Sequence, residues 1–475
     1  MSLAKWEVCI GLEIHAQILS ASKLFSGSSA ASKSAAFLPN SRVSFFDAAM
    51  PGTLPSLNRS CVAQAVRTAH ALQSDRKTRP RNSSQVHFVS EHSSSSLLHA
   101  AADANEWVEK QVRINRIQIE QDSGKSLHTL DATHVDLNRA GTGLMEIVFE
   151  PDLRSAAEAG QVLREVQHLL RHIGTCDGNM EDGSMRCDLN VSVRPKAAEE
   201  HPFGERVEVK NMNSIRHLMR AVEFEMERQV RHIEATGLPI EKETRTFDAA
   251  TGMTRRMRSK EGAKDYRFFP EPDLPPLVIS ARFVDDAKAS LPELPDQMKA
   301  RLGRDYGLSA YESAILVHTP HAVAYFEEVA TGRPHRLASN WVLNELFSLL
   351  KATNTDIRES PVSPSRLGEM LDLIVEETIS GKIAKLIQHM YYEDTTGRPV
   401  DIVERNGWKL ITDDETLRAY CRNVVTNPNN AKNVAAFQSG KAQLFGYFVG
   451  QVMKDSQGRV HPEKVNAILR AMLEA

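Results

Sequence analysis

WEVCIGLEIH, residues 6–15, alternates without a break. Trp6, Val8, Ile10, Leu12 and Ile14 fall on one face, and Glu7, Cys9, Gly11, Glu13 and His15 on the other. SMRCDLNVSVR, residues 184–194, repeats the pattern, with Met185, Cys187, Leu189, Val191 and Val193 set against Arg186, Asp188, Asn190 and Ser192. ERVEVK, 205–210, sets Glu208 and Lys210 against Val207 and Val209. Strands of this kind predict an antiparallel sheet with one wet face. VRINRIQIEQD, 112–122, is extended too, but its alternation slips at Asn115–Arg116, which predicts a bulge.

Two helices stand out between the strands. Ser155 and Glu158 form a capping box, Val162, Val166, Leu169, Leu170 and Ile173 come after at helical spacing, and Gly174 ends the run. The second starts near Ser214, carries the stripe Ile215, Leu218, Val222, Met226 and Ile233, and stops at Gly237. Residues 26–36 and 83–104 are rich in Ser and Ala and predict loops or disorder. SLPELPD, 290–296, reads as a linker. The chain beyond it lacks strand alternation and reads as helical, with Ser363-Pro364 a good N-cap and N1 pair. The character changes once more after Trp408, where a Gly-containing basic segment begins.

The composition is that of an ordinary globular chain. The 475 residues predict about three domains. Lys plus Arg is 58 and Asp plus Glu is 61, a net charge of −3, which argues against a protein that coats nucleic acid non-specifically. The five cysteines are scattered with no CxxC pair, so they predict neither a zinc ribbon nor a disulfide framework and read as buried apolar residues. No apolar run approaches the roughly 18 residues that a membrane span requires. Neither GxxxxGK[ST] nor GxGxxG occurs, so a nucleotide site here is not of the P-loop or dinucleotide-fold kind.

The polar strand faces hold the candidate chemistry. Glu13 and His15 share a face, Glu120 and Asp122 end one extended run, Asp188 and Glu208 lie on polar faces, and Glu181 precedes the strand of Asp188. Oxygen donors with one imidazole suit Mg²⁺ or Mn²⁺. Arg139, Arg186 and Lys210 interleave with these acids, as phosphoryl transfer requires. Ordinary ion pairing on a solvated sheet face accounts for the same pattern. DLNRAGTGLMEIVFEPD (136–152) and KEGAKDYRFFPEPDLPPL (260–277) read as ligand loops or rigid connectors. Between residues 430 and 472 the chain carries +4, against −7 elsewhere, and Phe437, Phe445, Tyr447 and Phe448 are interleaved with the cations. This suits a small helical module on a phosphate backbone, or a basic bundle with no partner.

At IGLEIHAQ (10–17), PGTLPSLN (51–58), QDSGKSLH (121–128), DLNRAG (136–141), EIVFEPDLRS (146–155), RCDLNVSVRP (186–195), EVKNMNS (208–214), KDYRFFPEPDLPPL (264–277) and FVGQVMK (448–454), the chain resembles the GatB family, the B subunits of the aspartyl/glutamyl-tRNA amidotransferases. The resemblance covers nearly the whole length. It implies an α+β fold: a cradle domain of antiparallel sheets with helices (1–285), an all-helical domain (286–410) and a small helical tail domain (411–475). It implies a carbon–nitrogen ligase that activates the side-chain carboxyl of misacylated Glu-tRNA(Gln) with ATP and Mg²⁺ as an acyl phosphate. Ammonia then arrives from a glutaminase A subunit, and the pair is braced by a small third subunit. On matching positions, Glu13, His15 and Glu120 are the first metal-ligand candidates, with Glu181, Asp188 and Glu208 second. Arg139, Arg186 and Lys210 are the catalytic candidates, Asn190 and Ser192 the cofactor contacts, and Lys441, Lys454 and Lys464 the tRNA contacts.

Departures qualify the resemblance. Asp75-Arg76-Lys77 is followed by TRPRNSSQVHFVSEHSSSS where the family has an aromatic- and proline-rich block. This admits an alternative, a non-catalytic tRNA-binding or assembly subunit. Gln121 stands for a usual Glu, and Gly143 for a frequent Pro, as in the organellar branch, which implies the mitochondrial matrix although no presequence is visible. A free-standing metal-dependent carboxylate ligase is the weaker alternative, disfavoured by the basic tail.

Overall fold

The computed structural model describes residues 3–30, 38–72, 87–89, 94–103, 106–198, 203–257, 271–394 and 396–474. Two compact units emerge, Met1–Leu294 and Pro295–Ala475. The first is α+β. Its strands are β1 (Trp6–Gln17), β2 (His87–Val89), β3 (Ser94–Asp103), β4 (Glu106–Gln121), β5 (Lys125–His128), β6 (Thr133–Asp136), β7 (Gly143–Phe149), β8 (Met185–Pro195), β9 (Val207–Met212), β10 (Glu243–Asp248) and β11 (Met253–Arg256). Nine of them form one sheet in the order β11-β10-β9-β8-β1-β7-β4-β2, with β3 paired to β4, while β5 and β6 make a separate hairpin.

The alternating stretches became the middle of this sheet. Ile10, Leu12, Ile14, Leu189, Val191, Val207 and Val209 are buried on its inner face. Against them pack α1 (Arg59–Ala71), α2 (Ala156–His172), α3 (Ile215–Thr236) and α4 (Ala281–Ala289), which join one hydrophobic core. The phase slip at Asn115–Arg116 is a bulge, where the β4–β7 register shifts between Ile114 and Arg116. Ser214 caps α3 by accepting from His217 N, and Gly237 ends it at φ 68°, a left-handed position suited to glycine. All five cysteines are buried and unpaired.

Three expectations need correction. The sheet is mixed, since β9 and β10 run parallel, with α3 providing the crossover. The Ser/Ala-rich stretch expected to be loop contains β2 and β3, both antiparallel to β4. Ser and Ala have little strand preference of their own, so pairing with β4 imposes the conformation. Residues 73–86, 90–93 and 104–105 of that region, like 31–37 of the other, lie outside the described residues. The capping box at Ser155 is half made. Ser155 Oγ accepts from Glu158 N at 3.1 Å, but the Glu158 carboxylate accepts from Arg154 N at 2.7 Å and pairs with Lys110 at 2.6 Å.

The second unit is helical throughout its described residues, apart from an isolated bridge between Ile411 and Val460. Ser363 caps the helix Pro364–Val375 through Arg366 N, as its sequence predicts. The unit holds two separate cores, one from Leu302 to Val403 and one from Leu417 to Leu473. No helix among the described residues is long and apolar enough to cross a membrane.

Candidate active site

Register brings the polar residues of five strands to one region of the sheet. Glu13 stands opposite Asp188, and His15 opposite both Arg186 on β8 and Glu146 on β7. Glu146 in turn faces Gln118 of β4, which precedes Glu120 on the same side. Asn190 faces Glu208 of β9. Because side chains alternate with period two, these pairings set Glu208, Asp188, Glu13, His15, Glu146 and Glu120 on one face.

The contacts are specific. His15 Nδ1 lies 3.6 Å from Glu120 and its Nε2 4.0 Å from Asp188. Asn190 donates to Glu13 at 3.0 Å, and Gln118 to Glu120 at 2.8 Å. Lys210 bridges Asp188 at 2.9 Å and Glu208 at 3.0 Å, and Thr244 donates to Glu208 at 3.0 Å. Beside this group, Arg139 and Arg186 reach the same carboxylate, Asp122, at 3.1 and 3.2 Å.

The electrostatics arise from this crowding. Burial disfavours the charged Lys210 ammonium, but Asp188 and Glu208 more than offset it and hold its pKa above the ordinary value. Burial also disfavours the His15 imidazolium, and the Glu120, Asp188 and Glu146 carboxylates again outweigh it, so its pKa is raised. Glu146 is raised as well, by its own burial and then by the charge of Glu120, which His15 and Arg116 only partly offset. For His15, a raised folded pKa gives stability that is complete below the ordinary value of 6.5 and is lost as pH rises through the folded pKa. The stability of the first unit is therefore expected to fall, as pH rises from 6.5 through the raised folded pKa, more steeply in the native chain than in His15→Asn. Urea midpoints across that range check this; parallel slopes would remove His15 from the linkage.

Not every candidate joins the cluster. Glu181 sits exposed in the loop before β8, beside Asn179, Asp182 and Arg171, around a separate depression of about 530 Å³. Ser192 is buried and faces Cys9, whose thiol donates to Pro151 O at 3.3 Å, so the segment at 151–154 closes that end of the face. In the second unit, Lys441 and Lys454 are exposed, while Lys464 donates to Thr412 O at 3.0 Å and lies 3.6 Å from Asp414. Sequence reasoning passed over Glu146 as a site residue and noted Asp122 beside Glu120 without giving it a role. The signal for Glu146 was a carboxylate inside the apolar run GLMEIVF, and its strand is buried at every position.

The donors suit a hard divalent cation in kind, with several carboxylates and one imidazole and no thiolate. In arrangement they are engaged with one another and with Lys210, and among the described residues no three His, Cys, Asp or Glu stand ready to hold a metal ion. Such an ion would enter by displacing these internal partners.

Comparison with known proteins agrees along the whole chain. A family model described as the GatB/GatE catalytic domain matches residues 8–285, and one described as the GatB domain matches 324–473. The B subunit of the mitochondrial glutamyl-tRNA(Gln) amidotransferase of Phytophthora infestans is 51% identical, over 99% of this chain and 95% of its own. That alignment runs over 549 positions, more than the 475 residues here, so the relative carries residues that this chain lacks. The B subunits of the aspartyl/glutamyl-tRNA(Asn/Gln) amidotransferases of Acidiphilium cryptum and Granulibacter bethesdensis are 47% and 46% identical, covering 98% of this chain and 96% and 98% of their own.

Proposed function

The chain belongs to the GatB family of tRNA-dependent amidotransferase subunits, and from that premise we propose that it activates the side-chain carboxylate of glutamate carried on tRNA(Gln) for amide formation. The observation supporting this is an acidic cluster around His15 on one sheet face, with Lys210 within it and Arg139 and Arg186 paired on Asp122 beside it.

A carboxylate resists ammonia because oxide is a poor leaving group. Transfer of the terminal phosphoryl group of ATP makes an acyl phosphate and ADP. Ammonia then adds to the carbonyl, the C–O bond to phosphate breaks, and the departing phosphate keeps the proton that the new amide gives up. Little covalent chemistry falls to the protein in such a transfer, so positioning and charge stabilisation decide the rate. Arg139, Arg186 and Lys210 supply positive charge where the phosphoryl oxygens gather it. Glu13, His15, Glu120, Asp188 and Glu208 are the groups that would hold Mg²⁺, which supplies charge neutralisation and alignment of the phosphates when bound. Ammonia comes from a separate glutaminase subunit, a small third subunit completes the complex, and Lys441, Lys454 and Lys464 meet the tRNA backbone. The relative from P. infestans supports a mitochondrial home.

The test is reconstitution with the glutaminase subunit and Glu-tRNA(Gln), following ADP release and Gln-tRNA formation with Mg²⁺ present or chelated. Absence of tRNA-dependent ADP release would overturn the proposal. The sequence after Lys77 supports a second reading, an assembly subunit that binds tRNA without turnover. Complex formation and tRNA binding without ADP release, with ammonium chloride as donor, would select it.

A further inference from the structure

We propose that Asp122 is a positioning residue that holds Arg139 and Arg186 as a pair for an anionic phosphate group, a role that rests on the carboxylate-activation chemistry. Its side chain is 5% exposed, and each of its two oxygens takes one guanidinium: Oδ2 lies 3.1 Å from Arg139 Nε, and Oδ1 lies 3.2 Å from Arg186 Nη2. The two arginines come from separate segments, the 138–141 turn and β8, and are 40% and 42% exposed. Each therefore keeps N–H groups open to solvent. One carboxylate balances one of two positive charges, so the trio carries a net +1.

The side chain is not needed to fold the turn. Gly141 N donates to Asp122 O at 2.9 Å, Asp122 N donates to Thr142 O at 2.7 Å, and Thr142 N donates to Arg139 O at 3.0 Å. Backbone bonds thus close the segment, and Ser123 N, at 2.9 Å from Oδ1, is the remaining donor to the carboxylate. Arg139 Nε also donates to Ser123 O at 3.1 Å, so the carboxylate adds an ion pair to a side chain already restrained there, and for Arg186 it supplies the hydrogen bond that limits its rotamers.

The experiment uses the complete complex and two readouts. Inorganic tripolyphosphate is titrated calorimetrically into the native protein, Asp122→Asn, Arg186→Ala and the double variant. ADP release is then followed for the same four. Asp122→Asn is expected to weaken tripolyphosphate binding about tenfold or more, and the double variant to bind no more than about threefold worse than Arg186→Ala, because Asp122 acts through the arginines. Guanidinium chloride is expected to restore ADP release to Arg186→Ala, by docking on Asp122, but not to the double variant. Native affinity in Asp122→Asn, or losses that multiply in the double variant, would overturn the proposal. Should Asp122→Asn fail to fold, Asp122→Glu and the guanidinium arm carry the same decision: a folded Asp122→Glu is expected to keep rescue and binding within about tenfold, and absence of rescue in Arg186→Ala itself counts against Asp122. A native complex that binds tripolyphosphate but releases no ADP would defeat the carboxylate-activation reading while leaving the clamp to be judged by affinity.

Discussion

Replacing Lys210 by methionine is expected to lower the rate of tRNA-dependent ADP release by about 100-fold or more, the usual consequence of deleting one preorganised charge from a phosphoryl- or acyl-transfer site. Lys210 is the cation placed between Asp188 and Glu208, and it remains charged because those carboxylates outweigh its burial. Methionine keeps most of the side-chain length and removes the charge. Asp188, Glu208, Glu13, Glu120 and Glu146 are then left with His15 and Arg116 as the nearest compensation in the cluster. Lys210→Arg is expected to recover part of the rate, since it restores charge but replaces a compact ammonium by a planar fork. Single-turnover ADP release at saturating ATP checks this. An unchanged rate in Lys210→Met would reduce Lys210 to an ion-pair partner. The fold should survive either change, because the side chain is 41% exposed and exposed ion pairs contribute little to stability.

How much of this was legible in the sequence differs from residue to residue. β1 and β8 were legible because period-two alternation reports burial on one face directly, and Leu12 and Leu189, opposite each other in the register, are both fully buried. The bulge at Arg116 was legible as a slip of phase. The order of the sheet was not. Nothing local to β1 says that it lies between β7 and β8, or that β10 runs parallel to β9, since both depend on contacts far along the chain. The candidate site divides in the same way. Glu13 with His15, and Asp188 with Arg186, could be placed on common faces from spacing alone. That Glu146 stands opposite His15, and that Asp122 holds two arginines, depends on register between strands and on a turn closing beside them. Ser192 shows the converse: its parity was right, but parity does not reveal that Pro151 covers its end of the face.

The largest expected loss of stability comes from a residue with no place in the chemistry. Glu225 lies in α3 with its side chain fully buried. Arg228 donates to it through Nε at 3.1 Å and Nη2 at 2.8 Å, Arg245 of β10 lies 3.1 Å away, Gln229 donates at 3.1 Å, and the Thr254 hydroxyl of β11 also donates. Glu243 completes the group, 3.0 Å from both Arg228 and Arg245. Two carboxylates thus meet Arg228 and Arg245 at the junction of α3 with β10 and β11, and the exposed Arg256 lies 3.4 Å from Glu243 as well. Charges in such a place are stable only while each keeps its partners, because an unpaired buried charge has lost its hydration without replacement. Glu225→Ala leaves Glu243 alone against Arg228 and Arg245 and is expected to destabilise the first unit by about 3–5 kcal/mol. Glu225→Gln keeps an acceptor without the charge and is expected to lose less. Amide hydrogen exchange along α3, compared with exchange in the helix Pro364–Val375 of the second unit, separates this from a general effect. A loss below about 1 kcal/mol in Glu225→Ala would mean that water reaches the arginines once the carboxylate is gone, and that the group is not sealed as the geometry indicates. The expected loss also sets the role of the network: β10 is the strand that pairs parallel to β9 and whose Thr244 holds Glu208, so the buried charges on α3 secure the edge of the sheet on which Lys210 and Glu208 stand.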